Sequence, residues 1–178
     1  MALTATIYNF DIDLADSRRN VYETLALRVA CHPSESDEHL VTRVLAYALE
    51  YADGIGFSRG ISDPEDPAIA IRDLTGAIQV WIDVGTPDAA RLHKASKAAP
   101  RVVVYSHKDS EQYLRQLAGQ KIHRAGAVEI YAVDRAFIAA LAARLERRMA
   151  FALSVVDQDL FLSVGSETLT GSVTRLSL

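Results

Sequence analysis

The sequence predicts an α/β fold, a mixed β-sheet with flanking helices, on three observations. Both ends of the chain alternate apolar and polar residues with a period of two, as half-buried strands do. Residues 32–54 carry an apolar stripe at helical spacing, and RVVVYSHK (101–108) is a β-branched apolar run behind a helix-forming segment. That last pattern belongs to an interior parallel strand reached by a right-handed crossover.

The elements follow in order. Tyr8, Phe10, Ile12 and Leu14 fall on one face of the first strand, with Asn9, Asp11 and Asp13 on the other. After the polar loop ADSRRN, Leu25, Leu27 and Val29 alternate again, so the two strands predict a long antiparallel pair. In HPSESDEHLVTRVLAYALEYADG, Pro33 and Ser34 punctuate a helix start and acids crowd the first turn. Leu40, Val41, Val44, Leu45, Ala48 and Leu49 form its buried stripe, and Gly54 marks the stop. GFSRGISDPEDP (56–67) is an acidic connection rich in turn residues. AIAIRD and AIQVWID, separated by LTG, predict a hairpin whose two runs end on Asp73 and Asp83. The Gly85 and Pro87 turn leads to a helix over 89–99, stopped by Pro100. A helix over 111–118, a strand over 127–133 and a helix over 135–148 repeat the alternation, and the C-terminal segment predicts a hairpin around Asp157 to Asp159.

Composition bounds the function. A chain of 178 residues, 49% apolar and 24% charged, suits a single globular domain over 1–178 with a sizeable core. No apolar run approaches the roughly 20 residues of a membrane helix and the N-terminus has no signal-peptide pattern, so a cytoplasmic protein is expected. The lone cysteine, Cys31, rules out an intramolecular disulfide or CxxC site and is expected in the core. A net charge of −4 argues against a generic polyanion binder. The average hides an asymmetry: Arg91, Lys94, Lys97, Arg101 and Lys108 lie in a stretch, 89–108, without Asp or Glu. That stretch reads as a solvated helix face or as a phosphate-binding surface. The five histidines do not give HExxH spacing, and P-loop, GxGxxG and GxSxG elements are missing, which leaves zinc-protease, nucleotide-kinase, dinucleotide and serine-hydrolase readings without support.

The chemistry centres on Asp83, at the end of a strand, IQVWI, that is apolar on both faces except at Gln79. A buried, unpaired carboxylate there would cost several kcal/mol. It requires a metal, a cation such as Lys94 on the next helix, or solvent. Glu38, in the first turns of the early helix, reads equally as favourable helix-end electrostatics. Trp81 and Tyr105 read as core, with base stacking as the alternative; His93 and His107 flank the same region.

HPSES (32–36), FSRG (57–60), RDLTGAIQVWIDVGTPD (72–88) and RLHKA (91–95), with the opening MALTATIY, resemble the YaeQ family of bacterial proteins over essentially the whole chain. That family is similar in fold to the PD-(D/E)xK phosphodiesterases. The resemblance therefore implies a restriction-endonuclease-like core plus antiparallel N- and C-terminal strands. In that superfamily an acid on the first core helix, an Asp on one strand, and an acid and lysine two apart on the next strand surround a metal ion. Glu38, Asp73 and Asp83 match the three acids, with Asp66 the alternative to Asp73. Gly85 stands at the lysine position, and Lys94 would supply the amine from the following helix, as some members do. What the resemblance implies is a Mg²⁺ (or Mn²⁺) ion held by Asp73, Asp83 and Glu38, with Lys94 beside it. Arg59, Arg91, Lys97 and Lys108 would then hold flanking phosphates of DNA or RNA. The activity expected is a Mg-dependent phosphodiesterase; the alternative, favoured by Gly85, is a nuclease fold that has lost catalysis and serves as a binding or regulatory protein.

Overall fold

The computed structural model describes residues 4–58 and 65–178. It is a mixed α/β structure with ten strands and four α-helices among the described residues. The chain forms two compact units, one of residues 1–41 and 133–173, the other of residues 42–132 and 174–178.

In the first unit the strands lie in the order β2-β1-β8-β9-β10. β1 (Thr6–Asp16) and β2 (Val21–Cys31) form the expected antiparallel pair, with Phe10 opposite Leu27 and Ile12 opposite Leu25. Asp16 closes the turn: its buried carboxylate accepts from Arg18 at 2.8 Å and from Arg19 at 2.9 Å. β8 (Arg148–Val156), β9 (Asp159–Val164) and β10 (Glu167–Leu176) continue the sheet, β8 running parallel to β1. The β8–β9 turn places Asp157 at φ 52, as the C-terminal hairpin requires.

Helix α4 (Arg135–Ala142) is shorter than its periodicity predicts. Arg148 belongs to β8, opposite Asn9, and the Asn9 N–H donates to the Arg147 carbonyl at 2.8 Å. Sheet pairing therefore overrides the helix-forming composition of 143–147. Phe137 of α4 lies against β10 at Gly171, where a Cβ would come within 2.6 Å of the Phe137 side chain. Cys31 is buried, as expected.

The second unit orders its strands β7-β6-β5-β4-β3. β4 (Ile69–Arg72) and β5 (Ile78–Val84) form the expected antiparallel hairpin. β3 (Ile55–Phe57) adds an edge strand inside what reads as connection. β5, β6 (Arg101–Ser106) and β7 (Glu129–Val133) are parallel neighbours, joined through α2 (Ala89–Ala98) and α3 (Ser110–Leu117). Trp81, Val102, Val104 and Ile130 pack with Leu92 and Ala95 of α2 and Tyr113 and Leu117 of α3. The opposite face of β6 carries Arg101 and Tyr105, which meet Glu50 just beyond α1 (Asp37–Leu49). Leu40, Val41, Val44, Leu45, Ala48 and Leu49 are all buried, as the helical stripe predicts. No helix among the described residues is long and apolar enough to cross a membrane.

Candidate functional site

Asp83 is three residues short of the α2 turn's Thr86 and lies inside β5, where both flanking strands bury it to 3% exposure. Its charge is met by Arg91. The Arg91 Nε donates to Asp83 Oδ2 at 2.7 Å and Nη2 donates to Oδ1 at 3.0 Å, a two-pronged pair whose fork matches the carboxylate. The Ala68 N–H donates to Oδ1 at 3.2 Å. Arg91 Nη2 also donates to the Asp66 carbonyl at 2.9 Å, which ties the chain entering β4 to α2. Its guanidinium lies over the Trp81 ring, 5.4 Å from the centroid.

Local sequence sets this geometry. Asp88 caps α2 by accepting from the Arg91 N–H at 2.8 Å. The cap puts Arg91 in the first helical turn, facing the end of β5. Lys94 stands one turn further along, about 4.5 Å in axial rise, and forms its ion pair with Glu65 instead. Tyr113 donates to the Pro87 carbonyl at 2.7 Å, holding the turn from below. Burial, then the charges of Asp83 and Asp88, push the Tyr113 hydroxyl well above its ordinary range. Gly85 takes φ 94 and its N–H donates to the Tyr105 carbonyl at 2.9 Å. A lysine at that position would adopt a backbone conformation that L side chains rarely occupy, which gives a physical reason for the departure from the nuclease pattern.

Asp73 lies elsewhere. It opens the β4–β5 turn: Oδ1 accepts from the Thr75 N–H (2.9 Å), the Thr75 hydroxyl (2.5 Å) and the Ala77 N–H (3.0 Å), while Oδ2 accepts from Gln79 at 2.9 Å. This is an Asx turn with a local structural purpose. The Thr75 hydroxyl, chiefly, holds the Asp73 carboxyl below its ordinary value against a smaller desolvation effect, helped by the Ala77 and Thr75 N–H groups and Gln79. From Ile78, opposite Arg72 beside that turn, to Asp83 is five residues of strand, roughly 17 Å at ~3.3 Å each. The two carboxylates expected to share an ion thus stand at opposite ends of β5.

The remaining expected residues are dispersed. Glu38 is exposed in the first turn of α1. Lys97 is exposed in the last turn of α2 and Lys108 is exposed just beyond β6, its N–H donating to the Ser106 hydroxyl. Arg59 lies outside the described residues. Arg91 faces inward to Asp83 rather than outward to a phosphate. Trp81, Tyr105 and His107 are buried; Tyr105 stacks on Tyr131 at 5.2 Å between ring centroids and donates to Glu50. Asp66, the alternative first Asp, lies near the Asp83 end of the hairpin, with its carboxylate 3.9 Å from Arg72.

The donor set does not fit a divalent ion. Both Asp83 oxygens are occupied by Arg91, Asp73 is spent on its own turn, and no three His, Cys, Asp or Glu side chains among the described residues are grouped to hold a metal. What the site does chemically is lock α2, β5 and the start of β4 together around one buried ion pair. Sequence reasoning gave Asp83 a metal, a cation such as Lys94, or solvent as its partner; the partner is Arg91, for which the Asp88 cap three residues earlier was the available signal.

The YaeQ protein family model matches residues 1–173. The uncharacterized protein YaeQ of Salmonella typhi is 32% identical over 165 residues, 92% of this chain and 91% of that protein. That of Escherichia coli K12 is 31% identical over 176 residues, 98% and 97% of the two chains. The crystal structure of the YaeQ protein from Pseudomonas syringae superposes with a TM-score of 0.88 at 28% identity, covering 98% of this chain and 97% of its own. That of the YaeQ protein from Xanthomonas axonopodis pv. citri also gives 0.88, at 31% identity and 98% and 99% coverage. With a matching model over nearly its full length and relatives above 30% identity spanning both partners, the chain belongs to the YaeQ family.

Proposed function

We propose that this protein is a non-catalytic nucleic-acid-binding module built on a restriction-endonuclease-like core. The carrying observation is the two-pronged Arg91–Asp83 pair: the strand carboxylate that would hold a metal ion is a structural anchor for α2. Support for the core comes from the sequence resemblance and from the order of elements α1, β4, β5, α2, β6, a helix followed by a hairpin and a crossover to a parallel strand. Support for nucleic acid comes from the acid-free, basic stretch 89–108, whose Lys97 and Lys108 remain solvent-facing.

The test sets purified protein with Mg²⁺ or Mn²⁺ against single-stranded, duplex and branched DNA and RNA, measuring binding and cleavage in parallel. Binding without cleavage is expected. Metal-dependent cleavage that disappears in a folded Asp83→Asn variant would establish a phosphodiesterase and overturn the reading.

A further inference from the structure

We infer that the ridge formed by His93 and Lys97 of α2 with Lys121 and His123 of the loop after α3 is the surface that grips the phosphodiester backbone of the nucleic acid. The inference rests on the nucleic-acid-binding reading above and locates it on the molecule.

Four positively charged or chargeable side chains from two sequence-distant segments meet here. The His123 N–H donates to His93 Nδ1 at 2.9 Å, and the two rings stand edge-to-face at 6.3 Å. That bond makes Nδ1 the acceptor, so the His93 proton resides on Nε2 as a donor. Arg124 braces the loop. It sits at φ 48, and its Nη2 donates to the Ser96 carbonyl at 2.7 Å and to the Ala99 carbonyl at 3.2 Å, at the C-terminal end of α2. Lys97, Lys121 and His123 are exposed. Among the described residues, no ion pair joins His93, Lys97, Lys121 or His123 to a carboxylate.

The energetics favour an anionic partner. A lysine in the last turn of a helix is favoured by the helix dipole, and this accounts for Lys97. It does not account for Lys121, which comes from another element and adds like charge to the same edge. Partial burial, then the charges of Lys97, Lys121 and His123, lower the proton affinity of His93; the acting charges are all positive. In a chain of net charge −4, a braced edge of one sign is repulsive to itself and is relieved by a polyanion. Lysines and histidine N–H groups contact phosphate oxygens without reading base sequence.

The decisive measurement is fluorescence anisotropy of the full chain with labelled single-stranded DNA and RNA across a salt series. The Lys97→Ala/Lys121→Ala double variant is compared with Arg28→Ala/Arg148→Ala, which removes the same charge from exposed positions of β2 and β8. Loss of two phosphate contacts makes the slope of log K against log salt shallower by about 1.4 for single strands, at about 0.7 per contact. The expected result is that change, with roughly tenfold or greater weakening at low salt, in the ridge variant alone. Equal behaviour of the two variants, with the wild type binding, overturns the ridge while leaving the nucleic-acid reading intact. A wild type that binds neither these strands nor the duplex and branched DNA and RNA of the test above overturns both.

Discussion

Arg91 and Asp83 depend on each other, because a carboxylate 3% exposed cannot be left without its cation. Arg91→Ala is expected to destabilise the protein by about 3 kcal/mol, the usual consequence of removing one partner of a buried pair. Arg91→Lys is expected to recover only part of that, since an ammonium cannot reproduce the two-pronged contact. Urea denaturation reads both; an Arg91→Ala midpoint equal to wild type would show that solvent, not the guanidinium, meets Asp83. The need of Asp83 for a partner was legible from its place at the end of an apolar strand. The identity of the partner was not, because it depends on the helical phase set by Asp88. The turn contacts of Asp73 were hidden for a related reason: an Asp closing one run of a hairpin looks the same in sequence whether it faces a metal or its own turn. Its assignment as a turn residue predicts that in Thr75→Ala the Asp73 carboxyl titrates closer to its ordinary value of 3.8, readable by NMR pH titration. An unchanged titration would remove the Thr75 hydroxyl as the dominant contact.

Between elements, the packing rests on contacts whose sequence signals differ greatly in strength. α1, the β1–β2 pair and the β4–β5 hairpin were legible because their periodicity is long and uninterrupted. The end of α4 was not, since 143–147 favours helix locally and only the pairing of β8 with β1 decides otherwise. Gly171 was equally silent in sequence, yet a Cβ there would meet Phe137. Gly171→Ala is accordingly expected to cost about 1–3 kcal/mol through overpacking, and Phe137→Leu, which frees space at the ring, to offset part of it in the double variant. Additive losses in that cycle would exclude the contact. On β6, Arg101 joins Glu50 at 2.7 Å and Glu129 at 2.6 Å. Burial raises the Glu129 carboxyl, but the hydrogen bonds of Arg101 and Tyr131 and the charges of Arg101 and Arg175 outweigh it and hold the group below its ordinary value of 4.5. A depressed folded value means that the stabilisation is complete above 4.5 and is lost as pH falls through that lower value. Arg101→Gln should therefore cost about 2 kcal/mol near neutral pH, discounted for the partial exposure of Arg101, and markedly less in acid, where the carboxylates protonate. Denaturation curves for wild type and variant that stay parallel across the acid range would refute this.

For the chain as a unit of function, the question is whether the acidic strand end near α2 is a metal site or a joint. The fold class was readable from the sequence, and the family from its motifs, but the chemistry was not, because the same Asp83 serves both roles and only its neighbours distinguish them. The basic ridge was visible in part, through Lys97; Lys121 and His123 lie outside the acid-free stretch and reach α2 only because Arg124 folds their loop against its end. A joint and a metal site respond differently to divalent ions. A ligand that binds only the folded state stabilises it by RT ln(1 + [L]/Kd), about 2.7 kcal/mol at a hundredfold excess over Kd. For a chain of this size that would raise the melting temperature by roughly 5–11 °C. With both oxygens of Asp83 engaged by Arg91, millimolar Mg²⁺ or Mn²⁺ is expected to leave the melting temperature unchanged relative to EDTA. Removing Arg91 tests the same point from the other side. If the guanidinium occupies what would otherwise be a cation's place, Arg91→Ala should acquire a divalent-ion-dependent rise in melting temperature that the wild type lacks, and Arg91→Ala/Asp83→Asn should lose it. A rise already present in the wild type and abolished by Asp83→Asn would instead identify a metal site that displaces Arg91.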